Sequence, residues 1–165
     1  MMTNQNNPEK KITILGIGNI LFSDEGIGVH LVHQLMEEWS HLEDRVELVD
    51  GATDGLVLLD IVERSSHLII IDSINAGKKP GTIIEVEQEE IPKYMGVKIS
   101  LHQQSFMEVL ALATMRGAIP EEMYMVGVQP LSLEWEVGLT PVVEEKLPQL
   151  KTLIQNRLQR WGVNV

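Results

Sequence analysis

Strand-like and helix-like segments alternate along this chain of 165 residues. That alternation constrains the fold more than any other feature, because strands interleaved with helices build a largely parallel sheet covered on both faces. Ile12 to Leu15 is a short apolar run ending in glycines, a buried strand. A helix is expected from about Gly26 to Trp39. There Ile27, His30, Leu31, Gln34, Leu35 and Glu38 trace a helical spacing that is only partly apolar. Val29, Val32, Leu35, Met36 and Trp39 trace a better apolar face. Val46 to Val49 reads as the second strand, and Gly55 to Arg64 as the second helix, capped by Thr53 or Asp54. His67 to Ile71 is the third strand and the most apolar.

Turn signals at Asn75-Ala76-Gly77 and Pro80-Gly81 precede a fourth strand, Thr82 to Val86. Only about ten residues separate strands three and four, too few for a helical crossover, so strand four runs antiparallel to strand three without having to be its neighbour. Gln103 to Arg116 is a third helix closed by Gly117, with Phe106, Val109, Leu110 and Ala113 as its buried stripe. Met123 to Val128 is a fifth strand, and Pro141 opens a final helix running to about Trp161. The fold class is therefore α/β: a mixed, mostly parallel five-stranded sheet with helices on both faces. In such sheets, sites form beyond the carboxyl ends of the strands.

Composition narrows the partners. There are 24 acidic against 13 basic residues, a net charge of −11, which repels phosphate backbones and argues against nucleic acid. With no cysteine, the chain has no disulfide, thiolate zinc site or cysteine nucleophile, and this usage suits the cytoplasm. No apolar run reaches the ~18 residues of a membrane span, so no membrane insertion is expected. Residues 1–9 read as a flexible leader and 10–165 as one domain.

The residues after each strand carry the chemistry. Gly16-x-Gly18 after strand one suggests a dinucleotide fingerprint, but the third glycine should fall where Leu21 stands, and the helix does not open at once. The glycines are better explained by a tight loop. That loop carries Asp24 and Glu25 at a helix start. Asp24 suits a cap, which leaves Glu25 to face the cleft. Asp50 stands at the end of strand two, where it caps a turn or supports the site. Asp72 follows an apolar strand, where a carboxylate needs exposure, hydrogen bonds or a cation; an Asx turn with Ser73 and Ile74 is the alternative. His102 precedes the third helix, while His30, His33, His41 and His67 read as structural or exposed. One imidazole and two carboxylates, Glu25, Asp72 and His102, suit nickel or zinc with coordination positions left open. No serine sits in a nucleophile elbow, and no H-E-x-x-H is present.

At these residues the chain resembles the hydrogenase maturation protease family. The match runs through Gly16-x-Gly18-Asn19-x-Leu21-x-x-Asp24-Glu25-x-Ile27-Gly28, Asp50-Gly51-x-Thr53-x-Gly55, Asp72, Ser100-Leu101-His102-Gln103, Gly127-Val128-Gln129-Pro130 and Gly138-Leu139-Thr140-Pro141-x-Val143. The resemblance implies a three-layer α/β/α sandwich and an endopeptidase. Its expected substrate is the precursor of a nickel-iron hydrogenase large subunit, whose C-terminal extension it removes after nickel insertion. Glu25, Asp72 and His102 are the implied metal-binding residues. Glu25, Asp72 and Asp50 are the implied catalytic acids, in an aspartic-type or metal-assisted hydrolysis. Nickel would arrive with the precursor, and zinc or another divalent cation would fill the site in the isolated protein. A monomer is the simplest expectation. A non-catalytic nickel-sensing chaperone of the same fold is the alternative function.

Overall fold

The computed structural model describes residues 9–52, 55–95 and 101–165, leaving out the side chains of Met95 and residues 101–105. Most of the expected leader, the Thr53 and Asp54 cap and the loop ahead of the third helix lie outside the described residues. Five strands form one sheet: β1 (Ile12–Gly16), β2 (Val46–Asp50), β3 (His67–Ser73), β4 (Ile83–Glu87) and β5 (Glu122–Val128). Their order is β2-β1-β3-β5-β4. The first four in that order run parallel, and β4 pairs antiparallel with β5. Strand four therefore opposes strand three in direction, as its short connection requires, with β5 between them.

Alternation along the strands sorts side chains into two cores. Ile12, Ile14, Ile69 and Ile71 face the helices α1 (Ile27–Glu38), α5 (Pro141–Glu144) and α6 (Leu147–Arg160). Leu15, Leu68 and Ile70 face α2 (Gly55–Arg64), α3 (Ile91–Met95) and α4 (Leu101–Met115). The expected stripe of Phe106, Val109, Leu110 and Ala113 is buried in the second core. Along α1 the outcome differs: Ile27, Leu31, Leu35 and Trp39 join the first core, Val29 and Val32 are buried as well, and Met36 is exposed. Helix α3 was not expected from the sequence, being only five residues long.

The final helix is two helices. The helical hydrogen-bond ladder is interrupted between Glu144 and Leu147, although Glu145 and Lys146 keep right-handed helical dihedrals, and Pro148 lies in the first turn of α6. Proline has no amide hydrogen, and its ring would strike the carbonyl of Glu144 in a continuous helix. At a helix start neither defect matters.

Strand order reverses between β1 and β3, because the chain leaves β1 for β2 on one side and returns to β3 on the other. This is the crevice where α/β sheets place ligands. Backbone packing there is very close. A Cβ on Gly28 would lie 2.2 Å from the Ile71 carbonyl oxygen and 2.3 Å from that of Ile17. The Ile17 amide donates to the same Ile71 oxygen at 2.8 Å. Gly28→Ala should therefore push α1 off the sheet and destabilise the fold by about 3 kcal/mol or more. A denaturation midpoint close to that of the parent would refute this packing.

His67 is buried at the start of β3, with Ser66 Oγ 2.9 Å from its Nδ1 and the Trp161 ring edge-on at 4.8 Å. Burial, more than the neighbouring Lys10, holds its pKa below the ordinary value despite the opposing pull of Glu122. Above the ordinary histidine range, folded and unfolded chains are both neutral there and stability is unaffected. As pH falls through that range the unfolded chain binds the proton first, so stability falls with pH. His67→Asn should make the loss between about pH 7.5 and about pH 5.5 shallower in urea titrations.

Candidate active site

The loop after β1 sits on the crevice. Gly18 takes a φ of 138°, and a Cβ there would lie 1.9 Å from the Glu25 carbonyl oxygen. Glycine thus serves to bring the turn Ser23–Gly26 down onto the end of β1. Glu25 lies in this turn, 7% exposed, and among the described residues its buried Oε1 has no hydrogen-bond partner. An unpartnered buried carboxylate oxygen is costly unless a donor or cation meets it.

Asp72 belongs to β3 itself, one residue past the Ile71 that accepts the Ile17 amide. It is fully buried, and its Oδ1 accepts the Ser73 amide at 2.7 Å. The Asx-turn alternative does not hold. The Ile74 amide goes to the Val128 carbonyl, so β3 keeps its ladder through Ser73. By strand alternation Asp72 shares the face of Leu68 and Ile70, towards α4. Its registered neighbour is Gly127, where a Cβ would lie 2.0 Å from the Asp72 carbonyl oxygen.

His102 is the second residue of α4 rather than the residue before it. Because α4 leads into β5 at the amino edge of the sheet, its first turn lies towards the carboxyl edge. The His102 side chain lies outside the described residues. The sequence thus places Glu25, Asp72 and His102 on a turn, a strand end and a helix start, all at one edge.

Asp50 is engaged elsewhere. Its Oδ2 is 2.7 Å from His33 Nε2 on α1, and its Oδ1 accepts the Ala52 amide at 2.9 Å, closing an Asx turn. Its strand alternation matches Val46 and Leu48, which pack in the first core. Asp50 and Asp72 therefore point to opposite faces of the sheet, two strands apart. The histidine read as merely structural, His33, turns out to be the partner of that acid.

Asp24 corrects the expected cap. Gly26 is the N-cap of α1, with no side-chain hydrogen bond. The Asp24 carboxylate instead crosses to a segment more than a hundred positions away. Its Oδ2 accepts the Leu131 and Ser132 amides at 2.9 and 3.1 Å. Its Oδ1 accepts the Thr140 amide at 2.8 Å, and Thr140 Oγ1 reaches both oxygens. Backbone pairing continues the seam, with the Ser23 amide on the Glu136 carbonyl and the Glu136 amide on the Leu21 carbonyl. A buried carboxylate saturated by donors is a strong cross-link between loops. Gln129 acts similarly on the turn after β3, accepting the Ala76 and Lys78 amides at 2.8 and 3.1 Å and donating to Asn75 at 3.0 Å. The only signals for these ties in the sequence were the matching motifs around Gln129 and Thr140.

Asp24→Asn turns an amide donor towards at least one of these amide hydrogens. It should cost about 2–3 kcal/mol and speed hydrogen exchange in residues 131–140 ahead of the rest of the chain. Unchanged protection in that segment would rule out the cross-link.

The comparisons with known proteins agree with this fold. The hydrogenase maturation protease family, HycI, matches residues 29–157. The hydrogenase expression/formation protein HupD of Rhizobium leguminosarum bv. viciae is 42% identical over 160 residues, covering 96% of this chain and 79% of its own. The hydrogenase 2 maturation protease of Escherichia coli K12 is 40% identical, with 93% of each chain covered. The solved structure of the hydrogenase maturating endopeptidase HybD from E. coli superposes with a TM-score of 0.84 at 36% identity, covering 93% of this chain and 95% of that one. With the family matched over residues 29–157 and relatives about 40% identical over more than nine-tenths of this chain, the chain belongs to the hydrogenase maturation protease family.

Proposed function

We propose that this protein is an endopeptidase that removes the C-terminal extension of a nickel-iron hydrogenase large-subunit precursor once nickel has been inserted, and that it recognises that nickel. The observation that carries this reading is Glu25: a buried carboxylate oxygen without a partner, in the turn seated on the crevice, with the buried Asp72 ending the adjacent strand. Such an oxygen suits a cation delivered by the substrate. A site completed only by the loaded precursor would act only at the right stage of assembly.

In this reading Glu25, Asp72 and His102 meet the nickel that the precursor carries. Two carboxylates and an imidazole fit a borderline divalent ion, and the same donors would accept zinc in the isolated protein. Hydrolysis adds water across one peptide bond, and a metal ion assists by polarising the carbonyl or acidifying the water. Asp50 is assigned a positioning role. Its hydrogen bonds to His33 and Ala52 hold the end of β2 against α1, on the other face of the sheet from Asp72. Among the described residues no helix is long and apolar enough to cross a membrane, and the reaction needs none.

Mass spectrometry of precursor mixed with the protein tests the reading. The tail should be lost from nickel-loaded precursor and kept on nickel-free precursor. His102→Ala and Glu25→Gln should each slow cleavage by about 100-fold or more. An intact precursor in both samples, with folded protein and the cognate pair, would favour the nickel-sensing chaperone instead.

A further inference from the structure

Apolar side chains crowd one surface next to the crevice. Ile20 and Leu21 are exposed in the loop after β1, and Leu131, Leu133, Trp135 and Val137 in the segment after β5. Trp135 is 73% exposed and Val137 72%. The two segments form one surface. They are joined by the pairing of Leu21 and Ser23 with Glu136, by the Asp24 carboxylate on Leu131 and Ser132, and by the Phe22 ring set edge-on to Trp135 at 5.2 Å. From Leu131 to Val137 apolar and polar residues alternate along the chain, so Glu134 and Glu136 flank Trp135 in sequence. Both glutamates are exposed, and among the described residues neither pairs with a cation.

Exposed apolar surface of this kind marks a binding face when it is contiguous. Three features indicate what covers it. The face is continuous with the candidate active site, since Asp24, which fixes it, is followed directly by Glu25. Its backbone is already held, so little ordering entropy is lost on binding, and a half-pinned tryptophan is a typical energetic anchor. Its exposed carboxylates select a partner with positive charge and disfavour a second copy, which would bring two patches of the same negative charge together.

We propose that the face formed by Ile20, Leu21, Leu131, Leu133, Trp135 and Val137 docks the folded body of the precursor protein, through an apolar patch bordered by lysine or arginine. This inference rests on the function proposed above and adds where that substrate is held. Specificity then lies partly in a surface away from the scissile bond, and Asp24 links that surface to the turn bearing Glu25.

The test measures binding separately from cleavage, by interferometry with immobilised nickel-loaded precursor and by the KM and kcat of tail removal. Leu133→Ser combined with Trp135→Ser should weaken binding and raise KM by about tenfold or more, with kcat held. Glu134→Lys combined with Glu136→Lys should also weaken binding and reduce its salt dependence. Met115→Ser, on an exposed residue at the far end of α4, should change neither. Thermal melts verify that each variant folds, and Leu133→Ser alone spares the Phe22 contact. Unchanged binding and KM in the folded patch variants would overturn the docking face. So would a parent dimer that the patch variants dissociate without loss of precursor binding, which would assign the face to a second copy. Precursor that binds through Trp135 but is never cut would instead sink the protease reading and leave the docking face standing.

Discussion

The architecture of the crevice depends on a contact between main chains. Gly28 in the first turn of α1 rests directly on the carbonyls of Ile71 and Ile17, at the point where the strand order reverses. A side chain at Gly28 would separate helix from sheet. Because the helix is seated so deeply, the turn that precedes it is pressed onto the end of β1, and a glutamate there becomes buried. The unsatisfied oxygen of Glu25 is thus a consequence of backbone packing, and the cost of leaving it unpartnered is offset elsewhere in the fold.

Two carboxylates adjacent in sequence end with opposite roles. Asp24 is saturated by amides and a hydroxyl from a distant segment and acts as a cross-link. Glu25 keeps an oxygen free. Asp50 is held by His33 and Ala52, and Asp72, buried near the end of the central strand, accepts the Ser73 amide. An acid that is fully hydrogen-bonded holds loops in place, and an oxygen left without a donor, as in Glu25, is available to a cation. This distinction, rather than the presence of carboxylates alone, separates scaffold from site.

The cross-link has a second result. Asp24 helps to tie residues 131–140, a segment that carries exposed apolar side chains, to the loop after β1. The proposed docking surface and the candidate chemistry then share one support, the carboxyl edge of β1, β3 and β5. A protein substrate needs both a place to be held and a place to be cut, and in the proposed reading a single buried carboxylate connects them.

Much of this was legible in the sequence. Apolar runs separated by helical periods set the α/β class, and the ten-residue connection after strand three set the direction of strand four, because those depend on local spacing and chain length. The loop glycines and the acids at strand ends marked the crevice, since glycine and buried charge are tolerated at few places. What the sequence did not disclose depends on contacts between remote residues. Asp24 looked like a helix cap because nothing local announces Leu131, Ser132 or Thr140 as its partners. His33 gave no sign that it meets Asp50. The helix after Pro141 read as continuous because its apolar period persists, and Pro148 breaks it only through a clash one turn back. Which face of the sheet each acid occupies is set by strand alternation once register is fixed, and register is a property of the assembled sheet. Local chemistry therefore determined the elements and the candidate residues; only tertiary packing decided which carboxylates are satisfied and which remain open.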